Sequence, residues 1–430
     1  MLLQSGSWVG LRGLGGLRRG ASAARRAPPA SACPLHGRAG GAPWAPSSGL
    51  RKQQQQQQRW HASTAAATPA AAAAPSAGPG EAAAGSGAGQ HEPPRGRLYL
   101  IDTKAQVYRL THGYGDSAAP SAQQGAAAAG AAGGAPEALG ESSIVAHGFV
   151  NILLGLFAHK PPPTHMAVVV DAPGANFRNV LYPQYKGQRS EAPPGLKQDV
   201  GRILDIVDAL GIPVLAVPGV EADDVIGSLA ARGAAAGMDV TIVSPDKDFF
   251  QLLCPRVRLL RLIKSPKKAA RAPGSPFYTL EDFEAEHGLG AAARWADVMA
   301  LQGDDSDNIP GVRGIGAKTA LRLVQAFGSV EGVLADGKWE GVKLNKKQRE
   351  VLASEDGALA ARLAKQLVTV VTDLKQPDVC APLDSFRLRA PADGGAELQA
   401  RLDHYRLAWV KQRLMGVVAG WRDAGGAAPL

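Results

Sequence analysis

The sequence predicts an α/β domain followed by a helical domain. Short apolar runs alternate with longer stretches of helical period as far as residue 277, and helical periodicity dominates after Tyr278. Several of the apolar runs end in an acidic residue, as strands do when their carboxyl ends line a ligand-binding crevice. The strands fall at 98–101, 167–170, 213–217, 240–243 and 257–262, and the helices between them at 144–159, 198–210, 222–236 and 247–253. Alternation of this kind argues for parallel strands joined by crossover helices. Beyond Tyr278 one further strand pattern is expected, at 367–371.

The ends of the chain and one internal stretch have a different composition. Residues 1–80 hold nine of the 47 Lys and Arg, none of the 38 Asp and Glu, many Ser and Ala, and the run Gln53 to Gln58. An Arg-rich, acid-free leader is the pattern of a transit peptide, which points to import into a mitochondrion or chloroplast. Residues 81–96 read as a low-complexity linker, and 117–140, almost wholly Ala, Gly, Pro, Ser and Gln, as a disordered insertion. The domains expected are then 97–277 and 278–415, with 416–430 as a tail.

The leader also explains the net charge of +9, because from Glu81 onward 38 basic residues balance 38 acidic ones. The basic balance is therefore no evidence for nucleic-acid binding. Cys33, Cys254 and Cys380 are too scattered for a disulfide framework or a zinc site. No run of 18 apolar residues occurs, so a membrane span is not expected.

The chemistry lies in the acids. Asp102, Asp171 and Asp246 follow three of the strands, Glu221, Asp223 and Asp224 open the helix after a fourth, and Asp248 stands two residues past Asp246. Asp304 and Asp307 add a pair at helical i, i+3 spacing. Any one of these could be a helix cap, but a cluster at one sheet edge repels itself by roughly 4 kcal/mol per close pair. Such a cluster needs protons or cations, and hard oxygen donors favour Mg²⁺ or Mn²⁺. Two ions at such a site support phosphodiester hydrolysis.

A glycine-rich turn follows, Gly311-Val-Arg-Gly314-Ile-Gly316-Ala-Lys318-Thr319. Ala317 separates Gly316 from Lys318, and a helix precedes the turn, so the spacing and context of an NTP-binding loop are missing. Glycines between two helices suit a hairpin whose backbone amides approach a DNA phosphate. Arg178, Lys186 and Arg189 interleave with Phe177, Tyr182 and Tyr185, a combination that offers cations to phosphates and rings to bases. Lys343, Lys346, Lys347 and Arg349 fit either a solvated face or a DNA contact.

Read together, Val170-Asp-Ala-Pro-Gly-Ala-Asn-Phe-Arg178, Tyr185-Lys-Gly-Gln-Arg189, Val220-Glu-Ala-Asp-Asp-Val-Ile-Gly227, Asp246-Lys-Asp248 and Gly303-Asp-Asp-Ser-Asp-Asn-Ile-Pro-Gly-Val312 resemble the 5′ to 3′ exonuclease domain of bacterial DNA polymerase I and related flap endonucleases. The resemblance implies a PIN-like parallel-sheet nuclease domain with a helical arch around 177–189, followed by a helix-three-turn-helix DNA-binding domain. It implies metal-ligand positions at Asp102, Asp171, Glu221, Asp223, Asp224, Asp246, Asp248, Asp304 and Asp307, not all of them touching a metal directly, with Lys186 and Arg189 as catalytic cations. DNA contacts are implied at Arg109 beside Tyr108, at Arg178 and Tyr185, and at Gly311, Gly314, Gly316, Lys318 and Thr319. Two Mg²⁺ or Mn²⁺ ions and a K⁺ at the hairpin would be the cofactors, and DNA with a 5′ flap, nick or RNA primer the partner. A stand-alone monomer is expected, with no polymerase or ligase partner named by the sequence. Two positions depart from the family pattern, Thr103 and Pro245, where Gly is usual. They leave a second reading, a catalytically weakened DNA-junction binding protein of the same fold.

Overall fold

Alternate residues of the strands face opposite ways, and here both directions are apolar, which requires a sheet covered on both sides. In the computed structural model, which describes residues 95–115, 142–189, 194–262 and 277–426, that is the arrangement. The sheet holds β1 (Arg97–Asp102), β2 (His165–Val169), β3 (Val214–Leu215), β4 (Asp239–Val243), β5 (Val257–Leu260) and β6 (Phe277–Tyr278). Their order is β3-β2-β1-β4-β5-β6, parallel throughout except for β6 against β5. The strand β6 was not legible, since two residues carry no period. The leader 1–80, most of the linker and the insertion 117–140 lie outside the described residues.

Helices α1 (Thr103–Gly115), α2 (Ser142–Phe157), α3 (Phe177–Leu181), α4 (Pro194–Ala209) and α5 (Ala222–Ala235) belong to the sheet region. Leu98, Leu100, Val169 and Ile242 share a core with Val225, Ile226 and Leu229 of α5. Tyr99, Ile101, Met166 and Val168 share the other core with Phe149 and Leu153 of α2 and Ile203 and Ile206 of α4. The helix expected at 247–253 is instead a 3₁₀ turn, Lys247–Leu252, opened by Asp246 accepting the Asp248 amide.

The second half is helical: α6 (Leu280–His287), α7 (Trp295–Gln302), α8 (Ala317–Phe327), α9 (Val330–Asp336), α10 (Lys346–Ala353), α11 (Glu355–Val368), α12 (Pro377–Cys380), α13 (Ala396–His404) and α14 (Ala408–Asp423). The last two return to the sheet, where Leu398, Leu402, Leu414 and Val418 join the core made by α2 and α4. The tail expected from residue 416 is therefore helical to Asp423, and Trp421 packs edge-on against Phe157.

The strand expected at 367–371 does not form. After α11 the chain runs extended along α5, and side chains rather than a neighbouring strand take its backbone groups. Arg178 donates to Leu367 O at 2.8 Å and Thr369 O at 3.0 Å, Asp224 accepts from Val371 N at 2.9 Å, and Gln251 bridges Val368 O and Val370 N. Ser228 donates to Val371 O and accepts from Leu374 N. Gly227 leaves room for this strap, since a Cβ there would collide with Val370 and the Val371 carbonyl.

Arg178 and Asp224 form a two-pronged ion pair at 2.6 and 2.8 Å, with Arg178 2% exposed and Asp224 fully buried. Removing one partner would leave the other charge buried and uncompensated. Asp224→Ala is expected to lower stability by about 3–5 kcal/mol, and the double change Arg178→Met with Asp224→Leu to recover part of it. Urea unfolding of the three proteins checks this; a parent-like midpoint for Asp224→Ala would show the pair to be dispensable.

Candidate active site at the carboxyl edge of the sheet

The carboxyl ends of β1, β2 and β4 and the start of α5 bring the predicted acids to one edge. Asp102, the last residue of β1, accepts from Ala105 N at 3.1 Å and Ser244 Oγ at 2.8 Å. Asp171, just beyond β2, accepts from Ala222 N at 3.0 Å and Lys104 Nζ at 2.7 Å. Glu221 precedes α5, and its carboxylate takes Lys186 Nζ at 2.7 Å, Asn176 Nδ2 at 3.0 Å and Tyr185 OH at 2.9 Å. Asp304 lies 3.2 Å from Lys247 Nζ and accepts from Ser306, while Asp307 is paired with Arg189 and lies 3.4 Å from Lys186.

These acids fall into two sets. Asp171, Glu221, Asp304 and Asp307 form an outer set, each holding a lysine or arginine of the chain. Asp102, Asp223, Asp246 and Asp248 form an inner set with no ion pair among the described residues. Burial, followed by the charges of Asp102 and Asp246, pushes Asp223 well above the ordinary carboxylate range. Burial and then Asp246 and Asp304 do the same to Asp248. For Asp171 and Asp304 burial acts upward too, but Lys104 brings Asp171 below the ordinary value, and Ser306 with Lys247 does so for Asp304.

Among the described residues no three of these acids stand close enough to enclose a metal ion as they lie, but the inner set has the donor chemistry for one. Asp248 Oδ1 is buried without a hydrogen-bond partner, and so is Thr103 Oγ1 beside Asp102. An orphaned carboxylate oxygen amid mutually repelling acids is the donor chemistry that hard divalent ions take.

Four expectations need correction. Asp224 is not free to hold a metal ion directly, because Arg178, Val371 N and Glu221 N occupy its oxygens. Arg178, enclosed by that pair, cannot reach DNA. Tyr185 is 3% exposed and offers no stacking face; its hydroxyl instead fixes Glu221 and meets Asp307 at 3.3 Å. The arch expected around 177–189 is the short α3 followed by turns folded onto the acids, with Lys186 at φ 55° and its amide donating to Asp307 O. Period and motif spacing cannot show that such side chains point inward.

The hairpin glycines also divide. Gly311 lies back to back with Gly303, and a Cβ on it would meet the Gln302 and Gly303 backbone, so it serves packing and not phosphate approach. Gly314 sits at φ 82°, its carbonyl accepting from Gln348 Nε2 at 2.8 Å. Gly316 caps α8 at φ −89° with nothing within 4 Å of a Cβ, and Lys318 is exposed beside half-buried Thr319. Arg109, on α1, donates to Gln106 Oε1 at 3.1 Å, beside half-exposed Tyr108. Sequence reasoning missed Lys104 and Lys247 as partners of the acids. The signal available was their adjacency, Lys104 two residues past Asp102 and Lys247 between Asp246 and Asp248.

Burial, opposed by the Ala105 amide and the Ser244 hydroxyl, raises Asp102 from the ordinary 3.8 to about 6. The folded protein thus holds this proton more tightly than the unfolded chain does. As pH rises from about 4 through 6, the fold without divalent ions loses stability from this group, by up to about 3 kcal/mol. Asp102→Asn should flatten that slope. Urea midpoints in chelator at pH 5 and pH 8 test it, and an unchanged slope in the variant would remove burial of Asp102 as the cause.

Comparison with known proteins agrees with this geometry. Residues 97–288 match the family described as 5′-3′ exonuclease, N-terminal resolvase-like domain, and residues 291–393 match 5′-3′ exonuclease, C-terminal SAM fold. The 5′-3′ exonuclease of Aquifex aeolicus is 36% identical over 235 residues, 54% of this chain and 75% of that one. The thermostable DNA polymerase I of Thermus filiformis is 39% identical over 227 residues, 53% of this chain and 25% of that one. DNA polymerase I of Deinococcus radiodurans is 34% identical over 280 residues, 65% and 27% respectively. The chain spans about a quarter of the length of these polymerase relatives. The solved T5 5′-exonuclease with bound zinc is similar over 76% of this chain and 99% of that one, at a TM-score of 0.47 and 19% identity. Since both halves are matched in order, and three quarters of the Aquifex exonuclease is covered, this chain belongs to the 5′-3′ exonuclease family.

Proposed function

We propose that this protein is a divalent-cation-dependent nuclease that hydrolyses phosphodiesters near a free 5′ end, as an exonuclease and a 5′-flap endonuclease. The observation that carries the reading is the inner set of four acids, which make no ion pair among the described residues, beside Lys186 and Arg189. Asp102, Asp223, Asp246 and Asp248, flanked by Asp171 and Glu221, would hold Mg²⁺ or Mn²⁺. Bound there, such ions supply an activated water and stabilise charge on the leaving oxygen.

The rest of the work falls to the chain's own residues. Lys186 and Arg189, with side chains 18% and 40% exposed, can turn from their carboxylates to phosphate oxygens of the 5′ strand. Tyr185 and Asn176 hold Glu221 in place while they do so. On the hairpin, the open space at Gly316 and the charge of Lys318 suit a duplex phosphate remote from the cut. A K⁺ at this turn belongs to the same reading. A weakened binding protein is less well supported, because neither Thr103 nor Pro245 is at positive φ, so both fit without backbone strain. The substrates proposed are flaps, nicks and primers of organellar DNA replication and repair. The acid-free leader supports the organelle, and a fluorescent protein carrying residues 1–80 that stays cytosolic would exclude it.

Cleavage of a 5′-flap duplex in Mg²⁺ is the direct assay. Asp246→Asn is expected to abolish it with junction binding retained, and substantial activity in that variant would sink the site assignment. Lys186→Ala should slow single-turnover cleavage at saturating protein by about 10²-fold. Gly316→Val, which nothing in the fold opposes sterically, should instead weaken duplex binding with thermal stability kept. A parent-like rate for bound Lys186→Ala would reduce Lys186 to a surface charge.

A further inference from the structure

Lys104, like Lys186, pairs with one of the outer acids. It lies in the first turn of α1, and its ammonium is 2.7 Å from Asp171 Oδ2, the side chains 43% and 35% exposed. The other oxygen of Asp171 takes the Ala222 amide. Both oxygens are thus engaged, and no divalent ion could use Oδ2 without Lys104 moving aside. The pair is open to solvent, so holding it together is worth little, under about 1 kcal/mol or roughly fivefold. An arriving divalent ion brings twice the charge and repels the ammonium it displaces.

Lys104 has somewhere to go. It borders a cleft of about 170 Å³ that Asp171, Asn176 and Glu221 also line. Two loops there turn at Gly174, φ 109°, and Gly219, φ 81°, and at neither would a Cβ meet any atom within 4 Å. Bare backbone and a displaced ammonium beside a hydrolytic edge suit a nucleic-acid phosphate.

We propose that Lys104 is a phosphate-binding residue of this site, held on Asp171 as an internal counter-ion until a divalent cation takes that carboxylate, and then turned to the 5′ strand in the adjoining cleft. The proposal rests on the nuclease reading and adds a residue to it. Cation and strand then help each other, since each removes Lys104 from the position where it opposes the other, and that coupling is reciprocal.

The test uses the full chain and its Lys104→Met and Lys104→Arg variants, all expected to unfold at the parent temperature because the side chain is half exposed. Mn²⁺ affinity of the free protein, read from the electron paramagnetic resonance of free Mn²⁺, should tighten about two- to fivefold in Lys104→Met and stay near parent in Lys104→Arg. Single-turnover cleavage of a 5′-flap duplex at saturating Mn²⁺ and protein should fall about tenfold in Lys104→Met and be largely restored in Lys104→Arg. Unchanged Mn²⁺ affinity in Lys104→Met overturns the counter-ion role, and tighter Mn²⁺ with parent-rate cleavage overturns the phosphate role. A parent protein that neither binds Mn²⁺ nor cuts DNA would instead refute the nuclease reading, which separates the two failures.

Discussion

Arg178 and Asp224 carry opposite charges into a region almost closed to water, and much of the surrounding structure serves to satisfy them. A buried pair repays its desolvation only when every remaining donor and acceptor finds a partner. Here those partners are the Leu367 and Thr369 carbonyls and the Val371 amide, so the pair grips a segment 147 to 191 positions further along the chain. Asp224 also accepts the Glu221 amide, and Arg178 lies 3.7 Å from the Glu221 carboxylate. A residue of the acid edge is thereby oriented by the strap that leaves the helical half. Small side chains at Gly227 and Ser228 permit that approach, so the site's geometry depends on packing as well as charge.

The same economy of charge shapes the site. Eight acids at one edge could not all stay ionised without compensation. The fold supplies four cations, Lys104, Lys186, Lys247 and Arg189, and assigns them to the outer acids. What remains is a central group in which burial, and then neighbouring carboxylates, make Asp102, Asp223 and Asp248 hold protons more tightly. Among the described residues these inner acids make no ion pair, which is why the nuclease proposed above would recruit external cations there. The outer lysines pair with carboxylates at 2.7 to 3.2 Å and keep part of each side chain exposed.

The glycine-rich hairpin joins two physical uses of one residue type. Gly303 and Gly311 lack side chains because two stretches of backbone touch there, which sets the path into the Asp304–Asp307 turn. Gly316 meets no such demand inside the protein. Its openness faces outward, beside exposed Lys318, and Gln348 of α10 buttresses the turn through the Gly314 carbonyl. Composition alone cannot separate these uses, since both read as glycine between helices.

Much of the architecture was legible in one dimension. Apolar runs of strand length, broken by helical periods, determined a parallel sheet with helices around it, and acids at the ends of the runs located the edge where chemistry could occur. Local covalent periodicity decides those features, so sequence order carries them. Inward or outward orientation is a different matter. Asp223 and Asp224 are neighbours in one helical turn, yet one joins the inner acids and the other is bound to Arg178, because successive residues of a helix point about 100° apart and only the packed partners decide which side is wet. Tyr185 and Arg178 looked like DNA contacts and became supports for Glu221 once the turns after α3 folded onto the acids. The expected strand at 367–371 had the right side chains but met α5 instead of a strand edge. The sequence by itself determined which groups this protein brings to its site. The tertiary structure decided which of them face solvent and which hold the others in place, because burial and pairing depend on segments far apart in the chain.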